Sequence, residues 1–173
     1  DSMKLVYTIN EGDGAFYGPK IDFIVQDSLE REWQCGTCQF DLSMPERFDI
    51  HYESADGGRE RPVMLHRAVF GSMERFIGIL IEHLAGKFPV WLAPIQVVGL
   101  PVADRHADYI AQVIQSLKDK GLRVDQDLRS ESLGYKIRQA QMEKVPYMVI
   151  AGDNELENNQ VAIRHRDKGD LGA

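Results

Sequence analysis

The chain has 173 residues, 43% of them hydrophobic and 27% charged, with a net charge of −7. That is enough apolar material for one large core or two small ones, and no apolar run reaches the roughly 18 residues a membrane-spanning helix needs. The acidic balance argues mildly against a chain devoted to nucleic acid, but it is uneven: residues 1–91 hold 9 basic and 15 acidic side chains, residues 92–173 hold 11 and 12. Val6 and its neighbours are a short candidate strand. A glycine-rich loop follows from Glu11 to Lys20. Ile21, Phe23 and Val25 alternate with polar residues, the period of a strand, and Arg31 to Leu42 is a second long strand, most simply joined to the first as an antiparallel hairpin. Asp56-Gly57-Gly58 marks a turn, Pro62 to His66 a third strand, and Ser72 to Leu84 a helix with Phe76, Ile77, Leu80 and Leu84 on one face. Strands closed by a helix predict an antiparallel α+β domain over residues 1–88.

Two prolines within Pro89-Val90-Trp91-Leu92-Ala93-Pro94 forbid a regular helix, so residues 89–94 read as a linker. The pattern then changes. Ile95 to Leu100 is a strand, Asp104 to Lys120 a helix with Gly121 at its C-terminal cap, and Leu122 to Val124 a strand. A helix capped by Ser130 or Ser132 runs to about Lys144. Pro146 to Ala151 and Gln160 to Arg164 are further strands. This β-α-β-α-β alternation predicts a small, largely parallel, mixed-sheet α/β domain over residues 95–173. The fold class is thus α+β followed by α/β. The chain reads as cut at both ends, the second domain lacking a closing helix. The second domain is expected to fold by itself, and the first to be marginal for want of partner strands. With no signal sequence at the start, the expected setting is a soluble, cytoplasmic protein away from membranes.

Several residues could carry chemistry. The cysteines in Cys35-Gly36-Thr37-Cys38 have redox or half-zinc spacing, but no second pair completes a zinc site and the flanks read as one continuing strand, not a strand entering a helix. In Gly14-Ala15-Phe16-Tyr17-Gly18-Pro19-Lys20 the glycines let backbone approach a ligand, and Lys20 is a point charge suited to phosphate or carboxylate; from the pattern alone a plain glycine-rich hairpin loop is the simpler reading. Gln34, Thr37 and Gln39 are polar residues inside a strand, so they face either solvent or a polar pocket. Arg75 lies in the first turn of a helix, where the dipole disfavours a cation, which suggests an anionic partner able to use guanidinium geometry. His66 alone is more simply a packed or surface histidine than a metal ligand. Basic clusters at Arg129, Lys136, Arg138 and Lys144, and at Arg164, Arg166 and Lys168, are either solvated charges or an RNA-binding face.

Gly71-Ser72-Met73-Glu74-Arg75 after antiparallel strands resembles motif 3 of the class II aminoacyl-tRNA synthetases. Ala15 to Phe23, Trp33-Gln34-Cys35-Gly36-Thr37, His66-Arg67-Ala68 and Gly71 to Phe76 are similar to the threonyl-tRNA synthetase family in particular. The similarity continues through Trp91 to Pro94, Gly134 to Arg138, Val145 to Met148 and Gly152-Asp153. It implies a ligase that forms threonyl-adenylate from L-threonine and ATP with Mg2+ and passes the threonyl group to tRNA(Thr). Arg75 would be the motif 3 arginine that binds ATP phosphates, with Gln34, Thr37 and Lys20 lining the same site and Tyr17 and Gln39 near the amino acid. His66 would be one of three protein ligands to Zn2+, the other two lying upstream and absent here, as are motifs 1 and 2; Cys35 would not be a ligand. Glu155, Arg164 and Arg138 would meet the anticodon. The full-length enzyme would be a homodimer, and this chain an incomplete, inactive fragment of it. Within the class, prolyl-, histidyl- and glycyl-tRNA synthetases share the second domain's pattern, and a non-catalytic RNA-binding or regulatory protein of the same fold is the alternative.

Overall fold

The computed structural model describes residues 5–173. The chain divides into two compact units between His83 and Leu84. The first is built on a sheet of β1 (Lys20–Gln26), β2 (Glu32–Asp41) and β5 (Met64–Ala68), in the order β1-β2-β5 and antiparallel throughout. Between the last two strands come the short helix α1 (Met44–Arg47) and a small hairpin of β3 (Tyr52–Glu53) and β4 (Arg59–Glu60), turned at Asp56-Gly57-Gly58. Helix α2 (Met73–Leu84) follows, and Ser72 Oγ accepts the Arg75 N–H at its start. An ion pair from Arg31, at the β1–β2 turn, reaches Glu82 of α2. The strand expected around Val6 is not formed. Residues 5–10 are irregular and Val6 is fully exposed, because no ladder among the described residues receives its backbone groups.

The second unit holds a five-stranded sheet of β6 (Val97–Pro101), β7 (Val124–Gln126), β8 (Tyr147–Ala151), β9 (Ala162–His165) and β10 (Gly169–Gly172), in the order β10-β9-β8-β6-β7. β6 is parallel to both β7 and β8; β9 and β10 add antiparallel strands. The expected mixed sheet is present, less parallel than the alternation of elements suggested. A single 3-10 turn (Asp104–His106) leads into α3 (Ala107–Asp119), and α4 (Leu133–Met142) and α5 (Asp153–Glu157) complete the unit. Ser132, not Ser130, caps α4, its hydroxyl accepting the Tyr135 N–H. The strand expected at Leu122 begins two residues later, at Val124. Leu122 is spent on the end of α3: its N–H bonds to the Leu117 carbonyl while that of Gly121, at φ +84°, bonds to Lys118, the paired closure of a Schellman motif.

Burial differs sharply between the units. Alternate residues of β6 serve two cores. Val97 packs with Ile110 and Ile114 of α3 and with Val149 and Ala151 on one face, while Val98 and Leu100 pack with Ala140 of α4 and with Val145 and Met148 on the other. The first unit's sheet leaves Ile21, Phe23 and Val25 about half exposed. Segment 89–94 is fastened to the second unit, since Arg123 donates to the carbonyls of Trp91 and Ala93 and Gln96 donates to that of Val90.

Gly99 lies where β6 meets α3. A Cβ there would stand 2.6 Å from Ile110 Cγ2 and 2.8 Å from Ile114 Cγ1. Gly99→Ala is therefore expected to destabilise the second unit by about 1–3 kcal/mol through overpacking. Gly134→Ala, on α4 where an added Cβ meets nothing within 4 Å, is expected to be neutral or to stabilise by up to about 1 kcal/mol. Urea unfolding of both variants checks the contrast, and equal effects would contradict the packing argument.

Candidate functional site

Strand register sorts the first unit's side chains by chemistry. Lys20, Gln39 and His66 are direct partners across β1, β2 and β5, and Asp22, Thr37 and Ala68 form the next row. Cross-strand partners share a face, so one face collects Lys20, Asp22, Thr37, Gln39, Asp41 and His66, while Ile21, Phe23, Cys38 and Phe40 take the other. Gln34 lies three residues from Thr37 and by simple alternation would point away from it. It does not, because the register slips between Phe23 and Ile24: Phe23 faces Gly36, Ile24 faces Gln34, and Cys35 has no partner. This bulge brings Gln34 back to the polar face, where its Nε2 donates to Thr37 Oγ1 at 2.9 Å. It also answers the cysteine question. Cys35 and Cys38 are free, separated by three strand residues or about 10 Å, beyond disulfide reach.

Asp22 is the hub of this face. Its Oδ1 accepts from Gln34 Nε2 and Thr37 Oγ1, each at 2.8 Å, and its Oδ2 pairs with Lys20 Nζ at 2.9 Å. Asp13 lies 3.3 Å from the same ammonium. Lys20 holds the Asp22 carboxyl below its ordinary range, and Asp22, followed by Asp13, pushes the Lys20 ammonium above its own. Three residues picked out from the sequence as site-lining thus converge on a carboxylate that was not. Period-2 alternation alone assigns Asp22 to the outward side of the strand, and only the pairing reveals what it organises.

A second group lies one row away. Tyr17 OH donates to Gln39 Oε1 at 2.5 Å, and its ring is 5.7 Å from that of His66. The loop bearing Tyr17 is fixed to β2 by main-chain bonds, Phe40 N–H to Pro19 and Leu42 N–H to Tyr17. Gly18 is required there, since a Cβ would come within 2.2 Å of the Phe40 carbonyl oxygen. His66 Nε2 is 2.7 Å from Oδ2 of the buried Asp41. Among the described residues no cluster of three His, Cys, Asp or Glu side chains could hold a metal, so His66 supplies at most one ligand of a set.

Arg75 stands in the first turn of α2, exposed, and its side chain makes no hydrogen bond or ion pair among the described residues. Gly71, at φ +66°, lets the chain enter α2 against β2, where a Cβ would lie 3.1 Å from the Gln34 carbonyl oxygen. The helix start is thereby held beside the bulge. Among the described residues no hydrogen bond or ion pair joins Arg75 to Lys20, Gln34 or Thr37.

In the second unit, Glu155 Oε2 accepts the Gly152 N–H at 2.8 Å and so caps α5. Arg164 pairs with Met148 across β8 and β9, on the side of the sheet that faces α4, and its buried Nε has no partner. Arg138 is exposed on α4. No hydrogen bond or ion pair joins these three among the described residues. The basic clusters read from the sequence are partly structural. Lys136 is 2% exposed and donates to the Pro101 carbonyl at 3.2 Å, Arg129 is paired with Asp127, and Arg166 donates to the carbonyls of Lys144 and Lys87. Their guanidinium and ammonium groups satisfy carbonyls and carboxylates instead of forming one cationic surface.

Two family models match the chain: the tRNA synthetase class II core domain (G, H, P, S and T) over residues 2–84, and the anticodon binding domain over residues 96–172. Among curated relatives, the threonine–tRNA ligase of Acetivibrio thermocellus is 63% identical over 96% of this chain and 26% of its own length, and that of Clostridium tetani 62% identical over 100% and 27%. The chain belongs to the threonyl-tRNA synthetase family. It spans about a quarter of the length of these relatives. A crystal structure described as the RNA binding domain of threonyl-tRNA synthetase from Cryptosporidium parvum superposes on it with a TM-score of 0.90 at 39% identity, covering 96% of this chain and 42% of that one. The split of the two family models, class II core then anticodon-binding, follows the two units of the fold. No helix among the described residues is long and apolar enough to cross a membrane.

Because its folded pKa is depressed, Asp22 contributes stability that is present above the ordinary carboxylate value near 4 and lost as pH falls through the lower folded value. Asp22→Asn is expected to lower the melting point of the first unit at pH 7, with the gap to wild type closing below pH 4. Trp33 fluorescence in a Trp91→Phe background would follow this, and a gap independent of pH would show that the Lys20 pairing does not stabilise the fold.

Proposed function

We propose that the chain is part of a threonine–tRNA ligase, carrying the motif 3 side of the catalytic domain in residues 1–88, a linker in 89–94 and the anticodon-binding domain in 95–173. The complete enzyme activates L-threonine with ATP and Mg2+ to threonyl-adenylate and transfers it to tRNA(Thr). The observation that carries this reading is the shared polar face on which Lys20, Gln34 and Thr37 converge on Asp22 beside the Tyr17–Gln39–His66 row.

In the first step the threonine carboxylate attacks the α-phosphorus and pyrophosphate leaves. No proton moves, so the demand on the protein is positioning and charge compensation. Arg75, held at the α2 entry with its guanidinium unengaged, answers the phosphate charge. Lys20 offers a further cation held in place by Asp22. Gln34 and Thr37 present a fixed pair of polar groups to the nucleotide, and Tyr17 and Gln39 a linked pair to the amino acid. His66 fits a ligand role for Zn2+, as a half-exposed imidazole with one ring nitrogen engaged by a buried carboxylate, an arrangement common among metal-bound histidines. Zinc bound there would demand a hydroxyl from the substrate and so exclude valine, which an apolar pocket rejects by only ~100-fold. The remaining zinc ligands come from elsewhere in the complete enzyme, which works as a homodimer in the cytoplasm. Glu155, Arg164 and Arg138 face the anticodon, Arg164 with a buried Nε still lacking an acceptor.

Threonine-dependent ATP–pyrophosphate exchange tests the reading. The 173-residue chain alone is expected to be inactive and the complete protein active, with Arg75→Ala lowering the rate on the order of 100-fold or more. A complete protein that binds tRNA but shows no exchange would overturn the ligase reading in favour of a non-catalytic RNA-binding role.

A further inference from the structure

Asp41 is fully buried in the first unit, at 0% exposure, and both of its carboxylate oxygens are engaged. Oδ1 accepts the backbone N–H groups of Ser43 and Met44, each at 2.9 Å, where the chain turns into α1. Oδ2 lies 2.7 Å from His66 Nε2. The ladder enforces this meeting, because Asp41 pairs with Met64 and Gln39 with His66, making Asp41 and His66 diagonal neighbours on one face of β2 and β5. Two backbone N–H donors on one oxygen hold the carboxylate in a single rotamer, so it cannot swing away from the imidazole. Among the described residues, His66 Nδ1 has no hydrogen-bond partner.

We propose that Asp41 is the positioning residue of His66, fixing the imidazole as the Nε2–H tautomer so that Nδ1 is the atom that binds the metal. The proposal rests on the zinc reading above and adds the ligating atom and what selects it. An ionised carboxylate is only an acceptor, so the proton in the 2.7 Å contact belongs to Nε2. A neutral imidazole then keeps its one lone pair on Nδ1. The same bond stops the ring rotating about its side-chain torsions, so less rotamer freedom is lost on binding. Loss of such an outer-shell partner typically weakens metal binding 10–100-fold.

Asp41→Asn tests this without changing side-chain size. Its amide oxygen can still accept the Ser43 and Met44 N–H groups, while its NH2 faces Nε2 and donates to it, which drives the imidazole proton to Nδ1. The measurement is zinc affinity of the complete protein by chelator competition, with His66→Ala as reference. His66→Ala is expected to lose stoichiometric zinc; retention of full zinc would remove the metal reading and this proposal with it. Given that loss, Asp41→Asn is expected to bind zinc about 10–100-fold more weakly at an unchanged melting temperature. Wild-type affinity in a folded Asp41→Asn protein would overturn the proposal and leave the metal reading standing. A second measurement needs no variant at Asp41: ring-15N-histidine spectra of the wild-type protein with 113Cd in place of zinc. Cadmium coupling to His66 Nδ1 with the proton retained on Nε2 is expected, and coupling to Nε2 would refute the assignment even if Asp41→Asn failed to fold.

Discussion

Side chains of an extended strand alternate between two faces, and the chemistry of the first unit depends on that rule being broken once. Cys35 has no partner across β1, and this extra residue turns Gln34 to the face that Thr37 occupies. Lys20, Asp22, Gln34, Thr37, Gln39, Asp41 and His66 then gather on one side of a three-stranded sheet. Asp22 can bond to Lys20, Gln34 and Thr37 together only because the slip has occurred. Gly71 uses the same place, since the backbone of Gln34 and Cys35 is where α2 begins its approach. The candidate site residues of β1, β2 and the α2 entry thus share one local irregularity as their common origin.

The two units solve different problems. In the second, β6 contributes to two cores at once and helices cover both faces of its central strands. Hydrophobic burial is the main source of its compactness. The first unit has little of this. Its order rests on strand pairing, on carboxylate-centred hydrogen bonds at Asp22, Asp27 and Asp41, and on the Arg31–Glu82 pair. Polar networks of this kind specify geometry more than they supply stability. That suits a face whose polar groups are held at fixed distances from one another, and it accords with a stretch that covers about a quarter of its relatives.

Elements governed by short-range rules were legible in the sequence. The alternation of Ile21, Phe23 and Val25, the apolar stripe of α3, Ser132 as a cap and Gly121 past a helix end each follow from a few neighbouring residues. What could not be read required knowing the partner. Nothing local marks Cys35 as a bulge or Asp22 and Asp41 as hubs, because each depends on which residue stands opposite. Leu122 looked like a strand residue until the closure of α3 claimed its N–H. Lys136 looked like a surface charge, yet its position on α4 points its ammonium at the Pro101 carbonyl. Val6 had the right composition for a strand and no ladder to join among the described residues. The resemblance of motifs singled out candidate residues, but which of them meet came only from the register.

Gly18 permits a contact whose kinetics matter. Because the loop meets β2 through main-chain bonds at Phe40 and Leu42, the Tyr17 backbone moves away from β2 only when those two amides open. Their protons therefore report loop opening, because exchange with solvent requires those bonds to break while side-chain rotation does not break them. A face fastened this way changes its backbone shape in discrete events, and fast rotamer motions, on the picosecond-to-nanosecond scale, leave the Tyr17 loop in place.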